Sequence, residues 1–176
     1  MNIVLIGYRC TGKSSIGKRI AERLKWSFVD TDELIEKKAK ARISEIVENF
    51  GWEGFRKKEQ EVIREVSCLN SCVIATGGGV VLNEENIRLL KKNGWIVWLK
   101  ARPETIKKRM ITDTSTNSRR PALKGGSSTD EVEQVLKERA PLYEKACDFF
   151  IDTDNLSPDK LCDIIVEKFK RIKDAG

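Results

Sequence analysis

Histidine is absent from this sequence: its 176 residues include none. This absence excludes the Ser-His-Asp and Cys-His arrangements of nucleophilic catalysis and every zinc site that needs a histidine ligand. Long apolar runs are also absent, because none approaches the roughly 18 residues of a membrane-spanning helix. Met1 leads into the apolar segment 3–6 without a preceding basic stretch. We therefore expect neither a secretory signal nor a membrane partner.

Cysteine is scarce and irregularly spaced. The five cysteines, an odd number, include no CxxC pair. Without an export signal, free thiols in a reducing cytoplasm are the simplest interpretation. Cys68 and Cys72 are close enough in sequence to share a helix face or to hold a metal together, but two thiolates alone do not complete a zinc site. We expect both to be small apolar residues near a junction between a helix and a strand.

The overall composition is that of a globular domain. Hydrophobic residues make up 40% of the chain and charged residues 34%, which excludes a disordered chain. The length predicts one domain over residues 1–176. The net charge of +6 is compatible with nucleic acid, acidic lipid or a small polyanion. Because basic and acidic residues are interleaved rather than gathered in one block, we favour a small anionic substrate and expect no nucleic-acid partner.

Short apolar runs alternate with longer segments of helical period along the chain. This alternation predicts an α/β domain with a mostly parallel sheet that is buried on both faces. Apolar residues recur every four positions along 16–24 and 161–169, and those between 132 and 142 predict a further helix that ends near Pro141. The predicted strands are 3–6, 27–29, 72–75, 96–99 and 149–151.

One polar stretch interrupts this alternation. Residues 112–126 are rich in Ser, Thr and Gly and show no periodicity. A loop of this length inside a compact domain is usually a lid, a binding loop or a disordered segment. The adjacent Arg119 and Arg120 favour a mobile lid over a passive linker.

A phosphate-binding motif follows the first predicted strand. Residues 7–14, Gly-Tyr-Arg-Cys-Thr-Gly-Lys-Ser, match the pattern G-x-x-x-x-G-K-[ST] in full and open a predicted helix. In such a loop, backbone N–H groups surround phosphate oxygens and the helix N-terminus adds partial positive charge. We expect Lys13 to reach the β- and γ-phosphates and the Ser14 hydroxyl to bind Mg²⁺. The motif predicts nucleotide binding without naming a reaction.

Two carboxylates follow the second predicted strand, in the segment Asp30-Thr31-Asp32. Residues at positions i and i+2 of a strand share one side, so both carboxylates can face the crevice beyond the strand ends, where open α/β sheets bind ligands. One of them can join the Mg²⁺ shell while the other takes a proton from an attacking hydroxyl group. The alternative is a solvated turn in which an aspartate caps the following helix.

Three further segments carry candidate binding residues. Arg56 and Glu59 lie three residues apart on a predicted helix and either serve a site or form a surface bridge. The glycines of 77–79 end the third predicted strand, where they let backbone approach a ligand or form a flexible loop. Arg139 lies two residues before Pro141, where the helix must kink or stop.

Together these features resemble the shikimate kinases, small P-loop enzymes that phosphorylate the 3-hydroxyl group of shikimate. The resemblance covers nearly the whole chain and implies a three-layer α/β/α fold with a five-stranded parallel sheet and a mobile lid. It also implies formation of shikimate 3-phosphate and ADP in aromatic amino acid (chorismate) biosynthesis by a cytoplasmic monomer. The segments that carry the resemblance are, in order, 7–14, 30–32, 51–59, 75–79, 120–121 and 139–143.

The resemblance implies a role for individual residues. It makes Lys13, Asp32 and Arg120 catalytic: Asp32 contacts the acceptor hydroxyl groups and serves as base, and Arg120 is the lid arginine on the nucleotide phosphates. Ser14 and Asp30 are the Mg²⁺ residues, with Asp30 in the outer shell. The residues implied for ATP are Cys10, Thr11, Gly12, Lys13, Ser14, Ser15, Arg109, Arg120, Leu156 and Pro158. Those implied for shikimate are Asp32, Arg56, Gly77, Gly78, Gly79 and Arg139, with the two arginines clamping the carboxylate.

Two positions depart from the family pattern. Val47 stands where a Phe commonly lines the acceptor pocket, and Trp52 replaces the Glu that usually follows Gly51. A smaller wall at 47 is expected to loosen selectivity for the ring. The lid segment 111–120 is also a few residues longer than in several relatives.

Two other functions compete with this interpretation. A different small-molecule or nucleotide kinase on the same scaffold, such as a gluconate or cytidylate kinase, explains the P-loop and the lid. That function leaves the three glycines and the Arg56–Arg139 pair without a role. A non-catalytic nucleotide-binding module that holds nucleic acid is the other candidate, and the intact set of Lys13, Ser14 and Asp32 argues against it.

Overall fold

A computed structural model of the chain describes residues 1–112 and 131–174. Strands and helices alternate along it. The strands are β1 (Asn2–Ile6), β2 (Ser27–Asp30), β3 (Cys72–Ala75), β4 (Gly94–Lys100) and β5 (Phe149–Asp152). The helices are α1 (Lys13–Leu24), α2 (Thr31–Ala39), α3 (Ile43–Val66), α4 (Glu84–Lys91), α5 (Pro103–Thr112), α6 (Val132–Ala146) and α7 (Pro158–Asp174), with a 3₁₀ turn at Val80–Leu82. No helix in these ranges is both long and apolar enough to cross a membrane.

The five strands form one parallel sheet in the order β2-β3-β1-β4-β5. All five predicted strands are confirmed, with ends that differ by at most two residues. Strand β1 lies in the centre, and the chain builds first on one side of it and then on the other. The crevice at the carboxyl end of β1 is therefore the topological switch point, where open α/β sheets bind ligands.

Helices cover both faces of the sheet and bury its apolar side chains. On β1, Ile3 and Leu5 face a core that includes α1 and α7, whereas Val4 and Ile6 face a core that includes α3, α4 and α6. This split follows from the alternation of side chains along a strand. It confirms the three-layer α/β/α architecture, and it explains why the central strands are continuous apolar runs.

Helix α3 bends at Gly51, whose φ of 65° and ψ of 177° are a combination that essentially only glycine adopts. An L side chain is strained in that conformation, so glycine fits the bend. The second half of α3 carries Arg56 and Glu59, as the sequence predicted for a helix there. The bend thus gives the site-bearing half of α3 its own direction.

The prediction that a helix ends near Pro141 is wrong, because α6 continues to Ala146. A proline inside a helix removes one backbone hydrogen bond. Burial of Arg139, Tyr143 and Ala146 on the same helix offsets that loss. As a result, both sides of Pro141 contribute residues to the same region.

The predicted environment of the Cys68–Cys72 pair is confirmed. Cys68 is exposed just after α3, and Cys72 is buried at the start of β3. Burial raises the pKa of the Cys72 thiol. Among the described residues, no cluster of histidine, cysteine and acidic side chains has the composition of a metal centre.

Candidate active site

The loop after β1 has the backbone of a phosphate cradle. Gly7 and Gly12 adopt positive φ angles of 140° and 95°, and Cys10 has a φ of 60°. A Cβ atom on Gly7 would lie 2.5 Å from the Leu99 carbonyl oxygen, so a side chain is excluded there. Helix α1 begins at Lys13 with no side chain capping its first turn. The N-terminal N–H groups of a helix favour an anion at this position.

Lys13 is held inside this cradle. Its Nζ donates to the carbonyl oxygens of Gly7, at 2.8 Å, and Tyr8, at 2.6 Å. The hydroxyl of Thr11 donates to the same Tyr8 oxygen at 2.8 Å. These bonds fix the shape of the loop and keep a positive charge at its centre.

Ser14 and Asp30, the two predicted Mg²⁺ residues, are in contact. The Ser14 hydroxyl donates to Asp30 Oδ2 at 2.5 Å, while Asp30 Oδ1 accepts from the backbone N–H of Asp32 at 3.0 Å. Asp30 therefore caps helix α2, as one interpretation predicted, and also reaches the cradle, while its Mg²⁺ role stays a prediction. A hydroxyl and a carboxylate are hard oxygen donors, and Mg²⁺ binds through one or two such groups plus phosphates and water. The residues present fit Mg²⁺.

Asp32 reaches the site by a different route from the one predicted. It lies in the first turn of α2 and not on β2, so strand alternation with Asp30 is not what orients it. The neighbouring Thr31 hydroxyl accepts from the N–H of Gly77 at 3.2 Å, which ties the start of α2 to the end of β3. A Cβ atom on Gly77 would lie 2.8 Å from Asp32 Oδ1. The Asp32 carboxylate therefore occupies the space that the missing side chain leaves.

A pocket beside the cradle contains the predicted acceptor residues. Its apolar wall includes Ile43 and Trp52. Val47 is half-buried against the same core as these two residues, and its effect on selectivity stays a prediction. The lining residues are Tyr8, Arg9, Asp32, Ile43, Trp52, Phe55, Arg56, Glu59, Gly77, Gly78, Gly79 and Arg139.

Arg56 is fixed by contacts on several sides. Its Nη1 donates to Glu59 Oε2 at 2.7 Å, and its guanidinium carbon lies 5.2 Å from the ring centre of Phe55 and 5.7 Å from that of Trp52. A guanidinium over aromatic faces is stabilised by cation–π attraction. The Arg56–Glu59 pair is therefore part of the pocket and not a surface bridge.

Glu59 is a buried carboxylate, with 1% of its surface exposed. Its Oε1 has no hydrogen-bond partner among the described residues. Burial raises the pKa of Glu59, and the Arg56 and Arg139 guanidinium groups oppose that rise. The two positive charges thus compensate for the cost of burying the carboxylate.

Arg139 enters the pocket from helix α6. Its Nη1 donates to the carbonyl oxygen of Gly78 at 3.0 Å, and the Tyr143 hydroxyl donates to the same oxygen at 2.5 Å. The three glycines of 77–79 thus form a rigid segment that α6 holds in place. The structure brings together in one pocket all six residues predicted for shikimate.

The far end of the cradle contacts Arg109. The Arg109 guanidinium donates to the Cys10 carbonyl oxygen at 3.3 Å and to the Thr153 carbonyl oxygen at 2.9 Å. Leu156 and Pro158 follow Thr153 in the turn that leads into α7. Arg109 therefore links the cradle to this turn, while contact of these residues with a nucleotide stays a prediction. Arg120 and the predicted lid from 113 to 126 lie outside the described residues.

Sequence reasoning gave no role to four residues that the structure places at the site. Arg9 and Tyr8 occupy variable positions of the P-loop motif, so the motif gave no signal for them. Tyr143 was part of the segment around Arg139 and could have been found by its helical spacing on the same face. Glu131, which pairs with Arg9, lies next to the aperiodic stretch and carries no pattern.

Comparisons with known proteins identify one family. A sequence model of the shikimate kinase family matches residues 9–170. The chain is 44% identical to a shikimate kinase from Thermodesulfovibrio yellowstonii, over 97% of this chain and 96% of that protein. It is 41% identical to a shikimate kinase from Syntrophus aciditrophicus, over 96% and 91%. A solved shikimate kinase from Acinetobacter baumannii in complex with shikimate superposes with a TM-score of 0.89 at 32% identity, covering 98% of this chain and 94% of that one.

Proposed function

The chain belongs to the shikimate kinase family, and we propose that its pocket is where ATP phosphorylates the 3-hydroxyl group of shikimate to give shikimate 3-phosphate and ADP. One observation carries the proposal: a phosphate cradle and a pocket with two buried or half-buried arginines, Arg56 and Arg139, meet at the carboxyl end of β1. The solved relative with a TM-score of 0.89 holds shikimate. These observations support a site in which a triphosphate and a carboxylated ring lie side by side.

The two arginines are assigned to the carboxylate of shikimate. A guanidinium group presents parallel N–H donors that match the two oxygens of a carboxylate. Arg56 and Arg139 both line the pocket, and both act on the same buried Glu59. The two arginines outnumber the one glutamate that they share, which favours a carboxylate at this end of the pocket.

Asp32 is assigned to the attacking hydroxyl group. An aspartate is a weak base for an alcohol, because its ordinary pKa is about 3.9. Its contribution is to orient the hydroxyl oxygen and to accept the proton late in the reaction. Its position beside Gly77, at the edge of the pocket nearest β2, supports this role.

Charge stabilisation is assigned to the cradle. In phosphoryl transfer the transition state spreads negative charge over the equatorial oxygens, so positioning and positive charge dominate catalysis. Lys13 exchanges its bonds with the carbonyl oxygens of the loop for phosphate oxygens, and Arg120 adds a second cation. Ser14 and Asp30 would hold Mg²⁺, which supplies charge neutralisation of the β- and γ-phosphates.

The remaining expectations belong to the same proposal. We infer a single domain over 1–176, a lid at about 112–126 that carries Arg120 over the phosphates, a monomeric state and a cytoplasmic location. Exclusion of water by the lid would limit wasteful hydrolysis of ATP. The five cysteines are all free, which is compatible with a reducing compartment.

A coupled ADP-release assay tests the function. The purified chain is given ATP and Mg²⁺ with shikimate, quinate or gluconate as acceptor, and with no acceptor. We expect shikimate-dependent ADP release that far exceeds release with the other acids. Turnover with gluconate but not shikimate would assign the scaffold to a different kinase. Acceptor-independent behaviour with salt-sensitive retention on DNA would support a nucleotide-binding module instead.

A further inference from the structure

Arg9 and Glu131 form a buried ion pair beside the active site. Only 6% of the Arg9 side chain and 4% of the Glu131 side chain are exposed, and Nη2 of Arg9 donates to Oε1 of Glu131. The guanidinium carbon of Arg9 also lies 5.6 Å from the ring centre of Tyr8. None of the roles assigned above uses this pair, although Arg9 lines the acceptor pocket.

Stability alone does not account for the pair. Removing two charges from water is costly, and apolar residues of similar volume often serve the fold equally well. In addition, Arg9 Nε is buried and has no hydrogen-bond partner among the described residues, which adds a further cost. A buried pair of this kind is best explained by the geometry that it imposes.

The pair closes a ring of contacts around both halves of the site. Arg9 belongs to the phosphate cradle, and Glu131 directly precedes helix α6. Further along α6, Arg139 and Tyr143 both hold the carbonyl oxygen of Gly78. Gly78 in turn packs on the cradle, because a Cβ atom built on it would lie 3.4 Å from the backbone nitrogen of Arg9.

An apolar contact supports the same junction. Tyr8 packs with Ile106 and Met110 of α5 and with Val132 and Val135 of α6 in a small separate core. The cradle and the start of α6 are therefore joined by packing as well as by charge. Packing is not directional, whereas the hydrogen bond from Nη2 of Arg9 to Oε1 of Glu131 is.

We propose that Arg9 and Glu131 are positioning residues that couple the nucleotide site to the acceptor site of this kinase. The pair sets the distance between the cradle and the helix that carries Arg139. Loss of either charge lets the cradle and α6 shift relative to one another, so both substrates bind less well and the hydroxyl group is no longer aligned with the γ-phosphate. This inference rests on the proposed function.

The test uses single and double variants in the ADP-release assay, below the melting temperature of each protein. We expect Arg9→Met and Glu131→Gln each to lower kcat/KM at least tenfold, with higher KM for both ATP and shikimate. Because the two residues act as a unit, Arg9→Met/Glu131→Leu should be no worse than the poorer single variant. Arg9→Lys keeps the positive charge but not the planar guanidinium group, so it should recover only part of the activity.

Thermal unfolding separates positioning from a merely structural role. The double variant Arg9→Met/Glu131→Leu replaces the pair with apolar side chains and should regain most of the melting temperature, but not the kinetics. Wild-type kinetics in that double variant would overturn the proposal, as would an Arg9→Met effect confined to the KM for ATP. Arg23→Met, which breaks exposed ion pairs with Asp159 and Asp163 far from the pocket, is the matched control and should keep wild-type kinetics.

A binding measurement keeps this inference distinct from the proposed function. Wild-type turnover with shikimate tests the function, whereas the ratio of kcat/KM between variant and wild type tests the Arg9–Glu131 pair. Calorimetric titration with ADP alone reports on the cradle without any turnover. We expect Arg9→Met and Glu131→Gln to weaken ADP binding several-fold, and unchanged ADP affinity in both would contradict the coupling even if shikimate were not the acceptor.

Discussion

Gly79 leaves the space that the guanidinium group of Arg56 occupies. A Cβ atom built on Gly79 would lie 2.1 Å from Nη2 of Arg56 and 2.5 Å from its guanidinium carbon. The φ of Gly79 is −104°, which any residue adopts, so glycine is needed there for space and not for backbone conformation. The segment after β3 and the second half of α3 are therefore so close that a methyl group does not fit between Gly79 and Arg56.

Gly79→Ala should therefore damage the pocket more than the fold. The added methyl group displaces the flexible end of Arg56, which costs about 1.5–3 kcal/mol of charged hydrogen bonding to the substrate. We expect the KM for shikimate to rise roughly ten- to a hundredfold, with the KM for ATP and the melting temperature nearly unchanged. A higher KM for ATP alone would show that Arg56 is not a shikimate ligand.

Asp32→Asn should lower turnover sharply while it preserves ATP affinity. The amide fills the same space beside Gly77 but cannot accept the proton of the attacking hydroxyl group, and general-base contributions are typically about 10²–10⁴-fold. Single-turnover kinetics and ADP titration measure the two effects separately. Glu33→Gln, an exposed carboxylate on the same turn of α2, is the control and should be silent. Unchanged turnover in Asp32→Asn would refute the assignment.

Arg139→Ala should mainly weaken binding of the acid substrate. Loss of a buried partner of a carboxylate costs on the order of 2–5 kcal/mol, which is roughly thirty-fold to a few thousand-fold in affinity. The measurement is the KM for shikimate at saturating ATP. Lys145→Ala removes an exposed cation from the same helix, where it pairs only with Glu84 at the surface, and should leave that KM unchanged. If Arg139→Ala weakens ATP alone, the residue belongs to the nucleotide site.

Gly51→Ala should lower the free energy of unfolding without a steric clash. Nothing lies within 4 Å of a Cβ atom built on Gly51, so the effect comes from its backbone conformation alone. With a φ of 65° and a ψ of 177°, Gly51 lies in a region that essentially only glycine adopts, and a side chain there costs about 1–3 kcal/mol. Urea denaturation measures this loss. Gly51→Asn should lose about as much, because asparagine tolerates positive φ mainly at a ψ of about 30–60°. An unchanged free energy of unfolding in either variant would contradict a backbone origin.

Glu59 should make shikimate binding weaker at acidic pH. Its pKa is raised by burial, so the folded chain binds a proton over a pH range in which the unfolded chain does not. The free energy of unfolding therefore decreases as pH rises from the ordinary glutamate pKa through the raised one. Over the same range, falling pH protonates Glu59, loosens Arg56 and raises the KM for shikimate.

Glu59→Gln is the matched variant for this pH dependence. It imitates the protonated carboxyl group, so its KM for shikimate should be high and nearly independent of pH, and the wild type should converge on it at low pH. Its free energy of unfolding should lack the decrease that Glu59 contributes. If the KM for shikimate of Glu59→Gln rises as much at acidic pH as that of the wild type, another group is responsible for the titration.

Much of the fold was predictable because its signals are local. Runs such as Val73-Ile74-Ala75 are buried on both faces, so their composition alone identifies parallel strands. The cradle was predictable because backbone geometry imposes glycine and lysine at fixed spacing. The continuation of α6 beyond Pro141 was not, because it depends on tertiary burial of Arg139 and Tyr143, which outweighs the local penalty of proline.

The sequence predicted which residues belong to the site better than it predicted how they contact one another. Arg56, Arg139 and the glycine segment were identified as a set, but their mutual contacts depend on residues far apart in sequence. The pairing of Arg9 with Glu131 spans most of the chain. Arg9 occupies a variable position of the P-loop motif and Glu131 belongs to no motif, so no pattern links the two. Likewise, Asp30 has two carboxylate oxygens that perform different tasks, a division that no linear pattern encodes.

The Gly78 carbonyl oxygen accepts from both Arg139 and Tyr143. A carbonyl oxygen offers two lone pairs, so both are used by the protein itself. What the Gly78 peptide can still offer a guest molecule is its N–H group. At Gly78 the backbone therefore favours a ligand atom that accepts a hydrogen bond over a group that can only donate one.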